Sequence, residues 1–324
     1  MLKKLLFLFI LLITFLEWVS PAFAQDPHFT QFYAAPLYLN PAFAGTGRCP
    51  RAVLNYRDQW PGTKNSGLDK TYITYLGSYD QHIDAISGGI GIMALRDEAG
   101  AGTLKTTNVS AIYSYEQPIN RHFSIRAGFQ ATFFQKSIDW SKLTFGDMID
   151  PRYGFIYQTK EVPGPTSKSG VDFSAGMLGF SKLYYFGFAV HHLTQPDEGL
   201  IGTSKLPRKF TGHAGAVIPL KKDVSEGAIS PNILFKQQQN FTQINMGLYV
   251  TKGPIVAGLW FRKDDAFIAL IGFQANIFKF GYSYDVTVSK LATATAGSHE
   301  ISLGMQFPCK PKTRKFRTIS CPSF

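Results

Sequence analysis

Three kinds of residue in this chain of 324 have types that could carry chemistry: histidines, clustered carboxylates and cysteines. Of the seven histidines, only His191 and His192 are adjacent. Neighbouring side chains in a strand point to opposite faces, so the pair does not read as a chelating site. Asp97 and Glu98 fall in one expected connection and Asp264 and Asp265 in another. Nothing in that spacing sets two carboxylates across a scissile bond. Ser141, Ser225 and the other serines lack a G-x-S-x-G elbow. Gly88, Gly89 and Gly91 lie in an alternating stretch, where glycine relieves crowding or allows curvature. No catalytic constellation survives, so the chain reads as non-enzymatic, with no cofactor or metal expected. The three cysteines are Cys49, Cys309 and Cys321. An odd number leaves one outside any internal disulfide. No C-x-x-C spacing is present, which removes zinc and thioredoxin chemistry. Cys49 is near the start and the other two are near the end. A chain that closes on itself brings them together, and spacing does not choose between Cys309 and Cys321.

The elements that would position these residues repeat with a period of two. In 121–133, Phe123, Ile125, Ala127, Phe129, Ala131 and Phe133 share one face, with Ser124, Arg126, Gln130 and Thr132 on the other. In 278–288, Phe278, Phe280, Tyr282, Tyr284, Val286 and Val288 oppose Lys279, Ser283, Asp285 and Thr287. About 14 such segments follow one another: 50–59, 70–80, 86–96, 104–116, 121–136, 170–180, 183–193, 208–219, 227–238, 240–250, 255–262, 266–275, 277–287 and 298–307. Most approach the roughly 9–11 residues of a tilted membrane-spanning strand. Connections alternate in length. Those at 81–85, 117–120, 181–182, 220–226, 251–254 and 276 are short, while 60–69, 97–103, 137–169, 194–207 and 288–297 are longer. This is the asymmetry of periplasmic turns and outside loops. The fold expected is all-β: a transmembrane antiparallel β-barrel with both termini in the periplasm.

The amino terminus supports export. Lys3 and Lys4 precede the apolar run Leu5–Leu16, and Ala22-Phe23-Ala24 precedes Gln25. The run falls short of the roughly 20 residues that span a bilayer as a helix. The expected organisation is a signal peptide at 1–24, an irregular segment at 25–48, the barrel at 49–307 and a basic periplasmic tail at 308–324. With 17% charged and 15% aromatic residues, the chain is too apolar for global disorder. Its net charge of +11 comes without a zinc finger, RNP motif or dense basic helix, so nucleic acid is not an expected partner.

The densest local pattern begins after the cleavage site, at Asp26-Pro27-His28-Phe29-Thr30-Gln31-Phe32-Tyr33, and runs on to Gly45. Pro27, Pro36 and Pro41 break a regular ladder or helix. Phe29, Phe32, Tyr33, Tyr38 and Phe43 are costly to leave in water. Both facts are met if the segment is irregular and packs against the barrel or into its lumen from below. Asn40-Pro41 and Ala44-Gly45 read as turns.

The run DPHFTQFYAAPLYLNPAFAG at 26–45 resembles the hallmark of the PorP/SprF family of type IX secretion membrane proteins. RCPRAVLNYRDQWPG at 48–62 and Ser320-Cys321-Pro322-x-Phe324 are also similar. The resemblance implies an outer-membrane component of type IX secretion, linked in some organisms to gliding motility. One branch of the family works with a periplasmic peptidoglycan-binding protein and other secretion components. The other supports secretion or anchoring of a large surface adhesin through its C-terminal domain, and this branch is preferred here. A porin-like channel is the alternative. Cys321 lies in the family-like tail and is therefore the preferred partner of Cys49, with Cys309 the alternative. Arg57 is expected to face the lumen and to pair with a carboxylate or with carbonyls of 26–45. Trp60 is expected as an interfacial aromatic at a strand end. The loop 137–169, with Trp140, Phe145, Tyr153, Phe155 and Tyr157 among its prolines, is the expected partner-binding surface.

Overall fold

The computed structural model describes residues 25–47, 49–61, 71–220, 227–289 and 295–309. The expected signal peptide and the tail from residue 310 lie outside the described residues, as does Cys321.

Fourteen antiparallel strands close into one barrel. They are β1 (Arg51–Gln59), β2 (Tyr72–Ile83), β3 (Gly88–Ala99), β4 (Leu104–Pro118), β5 (Ser124–Ile138), β6 (Ser167–Phe180) and β7 (Tyr184–His191). The second half comprises β8 (Lys209–Ala216), β9 (Ala228–Gln238), β10 (Phe241–Lys252), β11 (Ile255–Arg262), β12 (Ala266–Ala275), β13 (Phe278–Thr287) and β14 (Ser298–Gln306). Each strand pairs with its neighbour in sequence, and β1 closes the ring on β14, with Arg51 opposite Gln306 and Gln59 opposite Ser298. Closure leaves no unpaired edge, which is what allows a sheet to sit in hydrocarbon.

The alternation in sequence becomes an inside and an outside. On β5, Phe129 and Phe133 stand exposed while Ser124, Arg126 and Gln130 are buried in the lumen. On β12, Phe267, Ile271 and Phe273 face out. Leu54, Ile92, Val109, Val171, Met177, Leu259 and Phe280 continue this apolar exterior around the ring. An apolar exterior around a polar interior inverts the arrangement of a water-soluble barrel. Some strands run past the bounds that the sequence pattern places and others stop short of them. β3, for example, continues through Ala99, so Asp97 is a strand residue facing the lumen rather than a loop residue.

The connections fall into two sets at opposite ends. Residues 139–166 and 192–208 sit at the long-connection end, whereas 84–87, 119–123, 181–183, 253–254 and 276–277 sit at the short-turn end. At the short-turn end, Phe307 N donates to Pro50 O at 2.9 Å, extending the β1–β14 pairing past both strands. This places Cys309 beside Cys49, and the two form a disulfide with their Cα atoms 5.4 Å apart. The sequence-based preference for Cys321 is therefore corrected. Antiparallel register carries residue 309 to residue 49 directly.

Peptide mapping of the unreduced protein should recover Cys49 linked to Cys309. The bond closes a 260-residue separation. A C309S variant should lose on the order of 2–4 kcal/mol of stability, read as a lower unfolding midpoint in detergent.

Candidate functional site

A ring of fourteen strands encloses more space than its inward side chains fill, and the amino-terminal segment takes up that space. Phe29, Phe32, Tyr33, Leu37, Leu39, Ala42, Phe43 and Ala44 are each at most 3% exposed and share one hydrophobic core with inward residues of the wall such as Leu76, Leu178 and Trp260. The prolines do not exclude helix here. Pro36 opens the single turn α1 (Pro36–Leu39), and Pro41 opens a short 3-10 turn through Phe43. Proline is tolerated at a first helical position because its missing N–H has no intrahelical partner there anyway. Between the turns, the Asn40 side chain accepts from Ala42 N at 2.9 Å and donates to Met177 O at 3.0 Å on the wall.

The segment runs the length of the lumen. Asp26 is held at the long-connection end by His192, Lys209 and Gln238. Gly45 reaches the short-turn end, where its N–H donates to Asp80 Oδ2 at 2.8 Å and Ala44 O accepts from Arg126 and Ser114. The described chain therefore starts at one end of the barrel and finishes, at Cys309, at the other. The expectation that the segment enters the lumen from the short-turn end is corrected. The segment begins near the long-connection mouth and descends to β1.

Aromatic contacts seat the plug on the wall. Phe32 meets Trp260 edge-on at 4.8 Å, Tyr33 meets Tyr185 at 5.6 Å, and Phe43 stacks on His213 at 5.2 Å. Within the plug, Phe29 meets Tyr38 at 5.5 Å, and Tyr38 donates its hydroxyl to Pro27 O. The wall yields room at its glycines. A Cβ on Gly128 would lie 2.3 Å from Ala42 N, and one on Gly89 would lie 2.3 Å from Ala44 O. On β3, Gly89 and Gly91 therefore serve the close approach of the plug, whereas Gly88 adjoins Ser114 of β4.

The polar centre of the plug is an ion cluster around Thr30 and Arg57. Arg57 is 2% exposed and bonds Asp285 at 3.0 Å and Glu300 at 3.1 Å. It also donates to Thr30 Oγ1, which receives Arg262 at 3.0 Å. Thr30 donates its hydroxyl to Asp285 at 2.7 Å, and the N–H groups of Thr30 and Gln31 donate to the Glu300 carboxylate at 2.6 and 2.9 Å. The Gln31 amide donates to Ser283 and to Glu300 O, and it accepts from Ser302 at 2.7 Å. The expectation for Arg57 specified the face and the kind of partner. The carboxylates, from β13 and β14, and the contribution of Arg262 carried no local signal in the sequence. Trp60 does follow β1, but its φ of 59° turns it across the mouth, where it lines both lumen cavities. It is not part of an outer aromatic girdle.

The two histidines also depart from the alternation. His192 lies past the end of β7 with φ 59°, so both rings turn inward instead of to opposite faces. Its Nδ1 meets Asp172 at 2.7 Å and its Nε2 meets Asp26 at 2.8 Å. Asp97 accepts from Thr74 at 2.6 Å, and Asp265 pairs with Arg262 at 2.9 Å. Asp97 lines one cavity and Asp264 and Asp265 another, while Glu98 pairs with Arg96.

At the long-connection end, residues 139–166 fold over a small hairpin, Ile149–Asp150 against Gly154–Phe155. Trp140 and Phe145 are half-buried within the loop, with Trp140 Nε1 donating to Pro165 O at 3.4 Å. Tyr153, Phe155 and Tyr157 stand out, 71%, 64% and 52% exposed. Asp150 accepts from the N–H groups of Arg152 and Tyr153 and from the Tyr157 hydroxyl, and Asp147 accepts from Lys160 N at 2.7 Å. These donors hold both carboxyls below the usual carboxylate range, the backbone N–H of Arg152 foremost for Asp150 and that of Lys160 for Asp147.

Fold and site define a plugged outer-membrane β-barrel. Residues 22–305 match the type IX secretion system membrane protein PorP/SprF, and the chain belongs to that family. Among solved structures it is similar to the outer membrane protein Omp33 of Acinetobacter baumannii. That likeness has 8% identity and a TM-score of 0.45, and it covers 81% of this chain and 100% of that one. It is also similar to the CymD monoaromatic hydrocarbon channel, at 11% identity and a TM-score of 0.48, covering 85% and 93%. No curated protein matches the chain.

Arg57→Ala should leave Asp285 and Glu300 buried with one shared cation fewer. The expected cost is about 3–5 kcal/mol, localised at the plug. Protease digestion of the folded barrel should then cut within 26–45, where the parent resists, while heat-modifiable gel mobility is retained. Acid should act on the loop in a defined window. Asp147 and Asp150 have depressed folded pKa values, so their bonds contribute fully above the unfolded carboxylate value of about 3.9 and are lost as pH falls through the folded values. Amide exchange at Arg152, Tyr153 and Lys160, corrected for intrinsic rates, should show constant protection from about pH 8 to 5 and loss only below about pH 4.

Proposed function

We propose that this chain is a non-enzymatic outer-membrane component of type IX secretion. It supports secretion or surface anchoring of a large adhesin by gripping the adhesin's C-terminal domain. The observation that carries this reading is the outer loop, where Tyr153, Phe155 and Tyr157 are exposed on a hairpin whose turn is braced by Asp150. Aromatic groups held in place lose little freedom on binding, and such residues dominate interface energetics. The long-connection end would face the outside, and the short-turn end, with its disulfide, would face the periplasm. The filled lumen argues against a porin-like channel, which needs an open aqueous path.

Replacing residues 145–160 with a short Gly-Ser linker should leave barrel assembly intact, since surface loops tolerate length changes. Retention of the cognate adhesin at the cell surface should fall by about tenfold or more, as expected for losing a cluster of aromatic anchors. Affinity purification of the intact barrel from detergent should recover a large exported protein held through its C-terminal domain. Recovery of only a periplasmic peptidoglycan-binding protein would assign the chain to the machinery branch instead. Solute flux through the reconstituted barrel with neither partner bound would return the channel reading.

A further inference from the structure

Above the plug, at the long-connection end, the lumen keeps a cavity of about 540 Å³. Its floor is the start of the plug, Asp26 to His28 with Tyr38, and its wall is the outer half of β2 to β6. The cations on this surface are already paired. Lys136 bonds Glu198 at 2.8 Å, and His192 is shared by Asp172 and Asp26, which also receives Lys209. Asp97 accepts from Thr74.

The hydrogen-bonding capacity that remains on the wall is neutral. Gln130, 5% exposed, donates its amide to Ser110 at 3.1 Å and Thr132 at 3.0 Å, which fixes the side chain. Its carbonyl oxygen accepts nothing from the described protein, and neither does Asn108 Oδ1 on the neighbouring strand. The Nε2 atoms of His28 and His191, which line the same space, also have no partner among the described residues. A buried polar atom left unpaired costs roughly 1–3 kcal/mol, so several around one cavity mark a place where a ligand or solvent supplies the bonds. Trp60 and Tyr72, in edge contact at 5.7 Å, add aromatic surface at the rim.

We propose that this vestibule is a binding site for a neutral saccharide. A sugar hydroxyl donates to a carbonyl oxygen such as those of Asn108 and Gln130 and accepts from serine or threonine, so one group meets both kinds of wall atom. The apolar face of a pyranose ring packs on the aromatic rim. A peptide carboxylate fits less well, because its full charge meets no unpaired cation on the described wall and would be desolvated without compensation. The volume lies in the range of small-ligand pockets, and the plug closes the lower end, so the site holds its ligand rather than passing it. The inference does not depend on the outer loop or on its partner.

The test uses the mature barrel in a detergent without a sugar headgroup, since a glycoside detergent would compete. Maltose, cellobiose, lactose and diacetylchitobiose are compared by saturation-transfer NMR and calorimetry with an end-capped neutral pentapeptide and its uncapped form. At least one disaccharide should bind, with an affinity that does not change between about 0.05 and 0.5 M salt, because no net charge is engaged. Q130A and N108A should each weaken binding by about fivefold or more, matching the loss of one hydrogen bond. Heat-modifiable mobility and the protease resistance of 26–45 should stay at the parent level. If Q130A fails to assemble, N108A together with W60A provides the same readout. The proposal is overturned if no disaccharide binds, if only a peptide binds, or if sugar binding persists undiminished in an assembled N108A/Q130A protein.

Discussion

A closed ring of fourteen strands faces two solvents, and its inside is too wide for its own side chains to fill. Lipid dictates an apolar exterior, so many apolar residues of the strands are committed outward, while others, such as Leu76, Leu178, Tyr185 and Trp260, turn inward. The wall that remains, with Asn55, Arg57, Arg126, Gln130, Asp172, Asp285 and Glu300 turned inward, is polar and must be hydrogen-bonded once water is removed. The amino-terminal segment meets both needs. Its aromatic residues pack on those inward apolar side chains, and its backbone N–H groups and the side chains of Thr30, Gln31 and Asn40 bond Glu300, Asp285, Ser283 and Met177 O of the wall.

The same constraint explains why the plug is irregular. A helix or strand would bond its backbone internally or to a neighbour and leave the wall unsatisfied. The irregular stretches on either side of the turns at Pro36 and Pro41 leave backbone groups free: Thr30 and Gln31 N–H meet Glu300, and Ala44 O and Gly45 N–H meet Arg126, Ser114 and Asp80. The disulfide at the short-turn end then ties the exit of the plug, through Cys49, to the strand that closes the ring.

The plug fills the middle of the lumen, and the chain belongs to a family of type IX secretion membrane proteins. The long-connection end carries the exposed aromatic hairpin and the neutral vestibule, one built from loop residues and the other from strand ends and the start of the plug. They use different chemistry, apolar anchors in one and unpaired amide carbonyls in the other, so they are suited to different ligands.

The sequence by itself determined the barrel, because period-two alternation and turn length are local properties that survive without tertiary information. The strands 51–59, 266–275 and 278–287 fall within a residue or so of where alternation places them. The motif at 26–45 announced itself by composition, since so many aromatics among prolines have to be buried somewhere. Tertiary structure alone decided how that segment threads, which end it starts from, and what it touches. Glu300 and Asp285 lie more than two hundred residues from Arg57, and only closure of β1 on β14 brings them to one point. The inward turn of His192 and Trp60 follows from positive φ just beyond a strand, where alternation stops applying. The choice of Cys309 over Cys321 follows from the β1–β14 pairing, a long-range register that no spacing of cysteines encodes.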